Sequence, residues 1–333
     1  MAVIRDMIPP FELFQPAGVD DAVRLMEEHG DQGWVLAGGL DTFDWFKDRI
    51  KRPSAVIDLG GVDELRGISA GADGGFAIGA MTSLTTVAES ADVMSAYPLL
   101  ATAAVTVATP QIRNQGTLGG NIVQDTRCWY YRSGWPCYRA GGNICYAGTS
   151  RSMNREHCIM GASRCVAVNP SDTAPALVAL DAEMVVASTS GERTYAATDF
   201  FIGPDLDIER MTVIEPGDLL TQIRLPAPWS GARHYFEKVR DRKSWDFSLA
   251  SVASMLNVEG GVIRDARLVV NGIAPYPVRM GAAEAAVRGR EPSDETGQMA
   301  GEIAVEGSRA LRHNDYKIAL TRNLVKRAIR DAA

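Results

Sequence analysis

All five cysteines of this 333-residue chain fall between Cys128 and Cys165, directly after the glycine-rich run Gly116-Thr117-Leu118-Gly119-Gly120-Asn121. An odd number of thiols crowded into one window is a poor disulfide framework, and in a reducing compartment it favours ligation of a metal centre. The spacings, C-x8-C-x7-C-x12-C-x6-C, include no short C-x2–4-C knuckle of the kind structural zinc uses. Iron–sulfur centres need thiolates but tolerate irregular loops. The segment is rich in turn formers: Ser133-Gly134, Gly141-Gly142-Asn143 and Gly148-Thr149-Ser150. Its polar and aromatic residues, such as Trp129, Tyr130, Tyr131 and Trp135, cannot build an independent core, so a metal centre would hold it together. The alternative is a set of free buried thiols.

The remainder reads as an ordinary globular chain, 46% apolar and 23% charged, long enough for two or three domains. A net charge of −7 argues against nucleic acid, which demands a basic surface. The most apolar stretch, 98–110, is too short to span a bilayer and carries Thr102, Thr106 and Thr109. The opening Met-Ala-Val-Ile-Arg-Asp lacks the pattern of a secretory signal, so a cytoplasmic location is expected, or a periplasmic one if a partner subunit carries an export signal.

Periodicity predicts a short strand at 11–16 and a helix over 18–30, with Val19, Ala22, Val23 and Met26 on one face, Asp20 as its cap and Gly30 as its stop. A buried strand at 34–37, a helix at 42–47 and a strand at 55–59 follow, suggesting a small α/β subdomain over 1–58. A strand at 76–80 and helices at 82–89 and 98–107 come next. Core segments resume at 165–168, 173–180 and 183–187 after the cysteine segment, and a turn at 215–218 leads into a strand at 219–225. Pro226-Ala227-Pro228 marks a domain boundary. Beyond it lie strands at 234–239, 250–258 and 262–271, then a helical tail from Asp294 to Ala333 on which Arg322, Lys326 and Arg330 form a solvated face. No repeat or low-complexity segment interrupts the chain.

Two glycine-rich loops offer phosphate-binding chemistry. In Ala37-Gly38-Gly39-Leu40-Asp41-Thr42, paired glycines let backbone N–H groups approach an anion without an intervening Cβ, and a following helix N-terminus adds positive dipole. A plain βα turn would look the same. The second loop, 111–121, combines three glycines, a hydroxyl and four side-chain amides, a set able to cradle a pyrophosphate and touch an isoalloxazine edge; it matches neither G-x-G-x-x-G nor a P-loop. Asn169-Pro170-Ser171-Asp172-Thr173 reads as an N-cap and turn whose carboxylate could also accept from a ribose or adenine. The segment 238–247 is either the wall of a cofactor site or a charged hairpin. The histidines (His29, His157, His234, His313) are dispersed, with no triad or metal spacing. A flavin or nucleotide loop beside a sulfur-rich centre points to electron transfer.

With these motifs the chain resembles, over essentially its whole length, the flavin-binding medium subunit of the molybdenum hydroxylases, the xanthine dehydrogenase and aldehyde oxidase group. Residues 37–39 look like that family's first FAD loop, 111–121 like its second, and 169–172 like its Pro-Ser-Asp element. The segment from 229 onward looks like the family's C-terminal flavoprotein domain. The cysteine segment resembles the extra 4Fe–4S loop of bacterial aldehyde oxidoreductase and 4-hydroxybenzoyl-CoA reductase flavin subunits, with 126–132 and 154–157 closer to the former. The resemblance implies an α+β chain: a PCMH-type FAD-binding fold of two α/β subdomains (1–58, and 59–226 with the insert at about 125–166), then an α+β domain over 227–333. It implies FAD contacts from Leu36, Ala37, Gly38, Gly39, Leu40, Asp41 and Thr42. Further contacts would come from Thr109, Gln111, Ile112, Arg113, Asn114, Gly116, Thr117, Gly119, Gly120 and Asn121, and from Asp172 and Lys238. Cys128, Cys137, Cys145 and Cys165 would hold the cluster, with Cys158 outside the set. Leu40-Asp41-Thr42 departs from the family, which often has Thr or Ser after the glycines.

By the same resemblance, a molybdopterin-bearing large subunit would oxidise the substrate, preferably an aldehyde. A small subunit would carry two 2Fe–2S clusters, and this subunit would pass the electrons through FAD to an external acceptor. No catalytic side chain is expected here, because the redox chemistry belongs to the cofactors. Two rival readings are a stand-alone FAD oxidase of the same flavin fold and a zinc-stabilised adaptor without redox function.

Overall fold

The computed structural model describes residues 7–332 with the exception of 72 and 230; the first six residues and Ala333 lie outside the described residues. Three sheets organise the chain. The first is parallel, in the order β1-β3-β2, and consists of β1 (Glu12–Phe14), β2 (Gly33–Leu36) and β3 (Ala55–Asp58), joined by helices α1 (Val19–His29) and α2 (Thr42–Lys47). A strand alternates its side chains across the sheet, and a parallel sheet is covered on both faces. Ala55 and Ile57 accordingly meet Ala22, Val23 and Met26 of α1, while Val56 turns to Trp45 and Phe46 of α2. The expected cap Asp20 lies instead in the first turn of α1, where the helix dipole favours an acid. Gly18 occupies the cap position, and the Val19 N–H is taken by the Glu64 carboxylate.

The second sheet is antiparallel, in the order β4-β5-β8-β6-β7: β4 (Ile68–Ala70), β5 (Phe76–Gly79), β6 (Glu183–Ser188), β7 (Gly191–Ala196) and β8 (Leu219–Leu225). Between β5 and β6 run α3 (Leu84–Glu89), α4 (Ala91–Ala96), α5 (Pro98–Val105), α6 (Pro110–Gln115), α7 (Leu118–Ile122), α8 (Trp129–Arg132) in the cysteine segment, and α9 (Ala174–Ala179); α10 (Ala197–Phe200) follows β7. Leu84, Val87, Leu99, Leu100, Leu177 and Ile223 anchor the core between helices and sheet.

Residues 226–232 lead to the third sheet, antiparallel in the order β12-β11-β10-β9: β9 (Arg233–Val239), β10 (Ala250–Glu259), β11 (Val262–Asn271) and β12 (Val278–Arg279). One face packs Val252, Leu256 and Leu268 against α11 (Gly281–Val287), α12 (Asp294–Ala304) and α13 (Tyr316–Arg330). Ala253, Met255 and Val269 on the other face join the core of the second sheet, next to α9. Among the described residues, no helix is long and apolar enough to cross a membrane.

Two expectations about the tail are corrected. It is two helices, broken at 305–315, because that stretch docks on the cysteine segment: Arg309 N donates to Ile159 O (2.8 Å), and Asn314 Nδ2 to the carbonyls of His157 and Cys158 (2.9 and 3.0 Å). Nor do Arg322, Lys326 and Arg330 form a purely solvated face. They line the seam with α12, where Glu302 pairs with Arg322 (3.4 Å) and Asp294 with Lys326 and Arg330 (2.6 and 3.2 Å).

The cysteine segment contains one short helix and several tight turns. It shares the core of the first subdomain: Tyr131 is 3% exposed and packs on Trp45 with ring centroids 5.4 Å apart, covering the α2 side of the parallel sheet. Burying such a ring is worth roughly 1.5–3 kcal/mol, so packing as well as any metal centre holds the segment in place.

Candidate cofactor site

The two glycine loops touch each other. A Cβ built on Gly38 would stand 2.4 Å from Gln115 O and 3.1 Å from Gly116 Cα, and one on Gly119 would stand 2.8 Å from Ala80 O. Only glycine fits between backbones so close, and Gly39, at φ +76°, holds the left-handed conformation that starts the turn into α2. Substituting Gly38→Ala is therefore expected to push the loops apart at a cost of about 1–3 kcal/mol. The protein should lose bound FAD on gel filtration that the parent retains.

The loops differ in what they leave free. Among the described residues, no acceptor reaches the backbone N–H groups of Gly38, Gly39, Leu40, Asp41 and Thr42. Five successive unpaired donors are available to an anion such as a pyrophosphate. In the second loop the glycine donors are occupied: Gly116 N by Ile112 O (2.6 Å), Gly119 N by Ala80 O (2.8 Å) and Gly120 N by Thr117 Oγ1 (3.0 Å), as is Leu118 N by Thr82 O (2.9 Å). Thr109 Oγ1 accepts from Ile112 N and so caps α6. Of the four amides, Asn121 turns inward, its Oδ1 accepting from Ser171 Oγ (2.7 Å) and Thr173 Oγ1 (2.7 Å). Asn114 Oδ1 accepts from Thr85 Oγ1 (2.7 Å), while Gln111 and Gln115 are exposed. Arg113 is folded back onto Val107 O (2.7 Å). Leu36, Ala37 and Ile112 are half-buried, the first two beside the cores of the first subdomain.

Asp172 sits at the end of this network, 3% exposed, with Oδ2 2.5 Å from Lys238 Nζ. Burial raises its pKa although the Lys238 ammonium opposes the shift. Its Oδ1 is buried with no hydrogen-bond partner among the described residues, an acceptor left for a ligand. Lys238 also donates to Thr106 O (3.2 Å), Arg240 to the same carbonyl (2.8 Å), and Trp245 N to Ala108 O (3.0 Å). Ala108 and Trp245 both have positive φ (+40° and +48°), strain of the kind that gathers at functional sites. The segment 238–247 thus folds against the turn at 106–108 that leads into the second loop.

Asp41 takes a role the sequence did not suggest. Its carboxylate accepts from Arg127 Nη1 (2.6 Å), Arg132 Nη1 and Nη2 (2.7 and 2.9 Å) and Trp45 Nε1 (3.0 Å), and Thr42 Oγ1 accepts from Trp34 Nε1 (3.2 Å). Arg127 and Arg132 flank Cys128, so the departure at Leu40-Asp41-Thr42 ties the first glycine loop to the cysteine segment. Breaking a fully buried pair costs 3–5 kcal/mol; with Asp41 27% exposed, Asp41→Ala is expected to cost about 2–3 kcal/mol. The check is denaturant unfolding, with loss of both FAD and iron content at partial denaturation.

The five thiols form no disulfide. Peptide N–H groups favour the thiolate forms: those of Tyr131 and Tyr130 at Cys128, which starts α8, those of Val166, Gly148 and Ala147 at Cys145, and that of Ala167 at Cys165. Desolvation still pushes the Cys128 thiol up to about 11 and that of Cys158 up to about 12. A hydrogen bond between Cys145 and Cys165 lowers the former to about 6 and raises the latter. Arg139, 6% exposed and bound to Asp125 Oδ1 (2.6 Å), lies near Cys165 with its Nε unpartnered. Peptide N–H groups and a buried cation around thiols are the donor set that stabilises clustered thiolates. Among the described residues, no three His, Cys, Asp or Glu side chains close on a point able to hold one metal ion. A single zinc would need sulfurs roughly 3.8 Å apart, from Zn–S bonds of about 2.3 Å in a tetrahedron. Ligands that each bind a different iron of a cluster need not converge on one point.

A family model described as the FAD binding domain in molybdopterin dehydrogenase matches residues 9–228. The chain belongs to the FAD-binding medium subunits of the molybdenum hydroxylases. A second model, the CO dehydrogenase flavoprotein C-terminal domain, matches residues 234–332 of this flavoprotein. It is 35% identical over 254 residues to the aldehyde oxidoreductase FAD-binding subunit PaoB of Escherichia coli strain K12, covering 75% of this chain and 77% of the relative. It is 30% identical over 332 residues to the carbon monoxide dehydrogenase medium chain of Hydrogenophaga pseudoflava, covering 98% of each. A solved structure of the Hydrogenophaga pseudoflava carbon monoxide dehydrogenase superposes with a TM-score of 0.78 at 29% identity, again over 98% of each chain. The flavoprotein is an oxidoreductase subunit that binds FAD, and the adaptor reading falls. The free N–H run at 38–42 and the vacant Asp172 Oδ1 fit an anionic, donor-bearing cofactor.

Sequence reasoning missed His157, Arg139 and Lys317. The mutual spacing of the histidines carries no signal for His157; its place inside the cysteine segment, one residue before Cys158, does.

Proposed function

We infer that this flavoprotein carries FAD and a 4Fe–4S cluster and works as the electron-transfer subunit of a heteromeric molybdenum hydroxylase that oxidises an aldehyde to a carboxylic acid. That reaction takes oxygen from water and releases two electrons and two protons. Substrate would be oxidised on a molybdopterin-binding large subunit, with a small subunit carrying 2Fe–2S clusters between it and this chain. FAD and the cluster supply the centres that accept electrons singly and deliver them to an external acceptor. The chain's own residues bind and orient. The N–H groups at 38–42 would hold the pyrophosphate, Asp172 would take a donor of the flavin nucleotide, and Lys238 neutralises that carboxylate. Cys128, Cys137, Cys145 and Cys165 would ligate the cluster, with Arg139 offsetting its negative charge. Asp41 joins the two sites mechanically.

The observation that carries this reading is the gathering of hydrogen-bonded thiols in a segment clamped by Asp41 to the free N–H run. The aldehyde rests on the 35% identity to a subunit named for aldehyde oxidoreductase. The test is anaerobic purification of the native complex with counting of Mo, Fe and FAD. Iron in excess of what the partner's 2Fe–2S clusters contain, and flavin bleaching on addition of an aldehyde, are expected. Iron no greater than the partner's share would remove the cluster from this chain, and bleaching by purines or carbon monoxide alone would remove the aldehyde.

A further inference from the structure

His157 is 2% exposed in a turn of the cysteine segment, with Nε2 3.3 Å from Cys128 Sγ. Its backbone is fixed on both sides: His157 N donates to Asn154 O (3.2 Å) and its carbonyl accepts from Asn314 Nδ2 (2.9 Å). Nδ1 is buried with no hydrogen-bond partner among the described residues. Beneath the turn lies Lys317, 0% exposed, its Nζ held by Glu156 O (2.9 Å) and Gly272 O (2.8 Å). An imidazole N–H is a hydrogen-bond donor on the nitrogen that carries the proton. Only Nε2 has a partner here, so the proton belongs on Nε2, and the neighbour that receives it is the Cys128 sulfur.

We propose that His157 is a positioning residue for the cluster, its Nε2–H donating to the Cys128 thiolate and thereby setting the cluster's reduction potential. The proposal rests on the cluster reading above and deepens it. A hydrogen bond to a ligand sulfur draws electron density from it and favours the reduced state, which carries the extra electron. The bond is charge-assisted and shielded from water, so its loss should matter. The geometry assigns the task to a side chain, the imidazole 3.3 Å from the sulfur. A side chain can be replaced without altering the backbone, which makes the idea testable.

The experiment is an EPR-monitored redox titration of the intact complex, comparing the parent with His157→Leu and His157→Gln. With iron content unchanged, His157→Leu should lower the one-electron reduction constant of the cluster roughly tenfold, a negative shift of about 59 mV. His157→Gln, whose amide N–H can reach the sulfur, should recover part of that shift. In parallel, the parent complex labelled with heavy-nitrogen histidine should show a weak nitrogen hyperfine coupling to the reduced cluster. An unchanged potential in an iron-replete His157→Leu complex overturns the proposal. Absence of the nitrogen coupling overturns it as well, even if the leucine variant fails to assemble. If the parent complex shows no cluster signal beyond those of 2Fe–2S centres, the cluster reading itself falls, and this role of His157 falls with it.

Discussion

Lys238→Met should destabilise the protein by about 3–5 kcal/mol, the cost of leaving a buried charge without its partner. The two side chains are 1% and 4% exposed, so no water replaces the ammonium beside Asp172. Methionine preserves much of the volume and removes only the charge and its hydrogen bonds to Asp172 Oδ2 and Thr106 O. The deficit has a definite pH signature. Asp172 already has a raised pKa from desolvation, and loss of Lys238, which opposes that shift, raises it further. A carboxyl whose folded pKa lies above its unfolded value binds a proton on folding, and that contribution is present at low pH and lost as pH rises through the folded pKa. The variant should therefore come nearest the parent in mild acid and diverge most above neutrality. Adding Asp172→Asn should recover a large part of the loss, because the unpaired charge is gone. Urea unfolding at several pH values measures all of this, and a deficit independent of pH would show that Asp172 does not carry the effect. Flavin binding should weaken in both variants, since Asp172 Oδ1 is the vacant acceptor.

Cys145→Ser should abolish the cluster while leaving most of the flavin. Cys145 is one of the four thiols assigned to the cluster, and its neighbour Cys165 and nearby peptide N–H groups favour its thiolate, the form that ligates iron. Serine keeps the shape but is a poor iron ligand. Iron should fall to the level of the partner subunits, and the broad absorbance beneath the flavin bands should vanish. Stability should fall too, because metal ligation in a turn-rich segment is folding free energy. Even so, the segment should not melt entirely, since Tyr131 remains packed on Trp45 and Asp41 still binds Arg127 and Arg132. Cys158→Ala is the control. That thiol is 1% exposed in the small cluster with Ala147 and Val166, and its loss should leave iron content unchanged. Equal iron loss in both variants would contradict the assignment of ligands.

The first subdomain was legible at residue level. Alternation on β3 and the period of α1 are local, and the expected helix at 42–47 is α2 (Thr42–Lys47). The end of the chain was less so. Apolar period continues from 294 onward, yet the chain breaks at 305–315 to meet Ile159, His157 and Cys158, residues far away in sequence. Tyr131 was expected in a segment unable to form its own core, and the core it joins belongs to α2. The glycine loops are visible in composition, but composition cannot say that the first keeps a continuous run of free N–H groups while the glycine donors of the second are taken.

Chemistry available to the chain was determined by its sequence: thiols in one window, glycines where backbones must approach, an acid next to a proline turn. These are properties of residue type and short spacing, and they survive without knowledge of the fold. Tertiary structure alone decided which partner each charge takes. Asp41 finds Arg132 across 91 positions and Asp172 finds Lys238 across 66, pairings that depend on how sheets stack and segments dock. Local propensity carries no record of such distances, because an ion pair's energy depends on separation and burial in space.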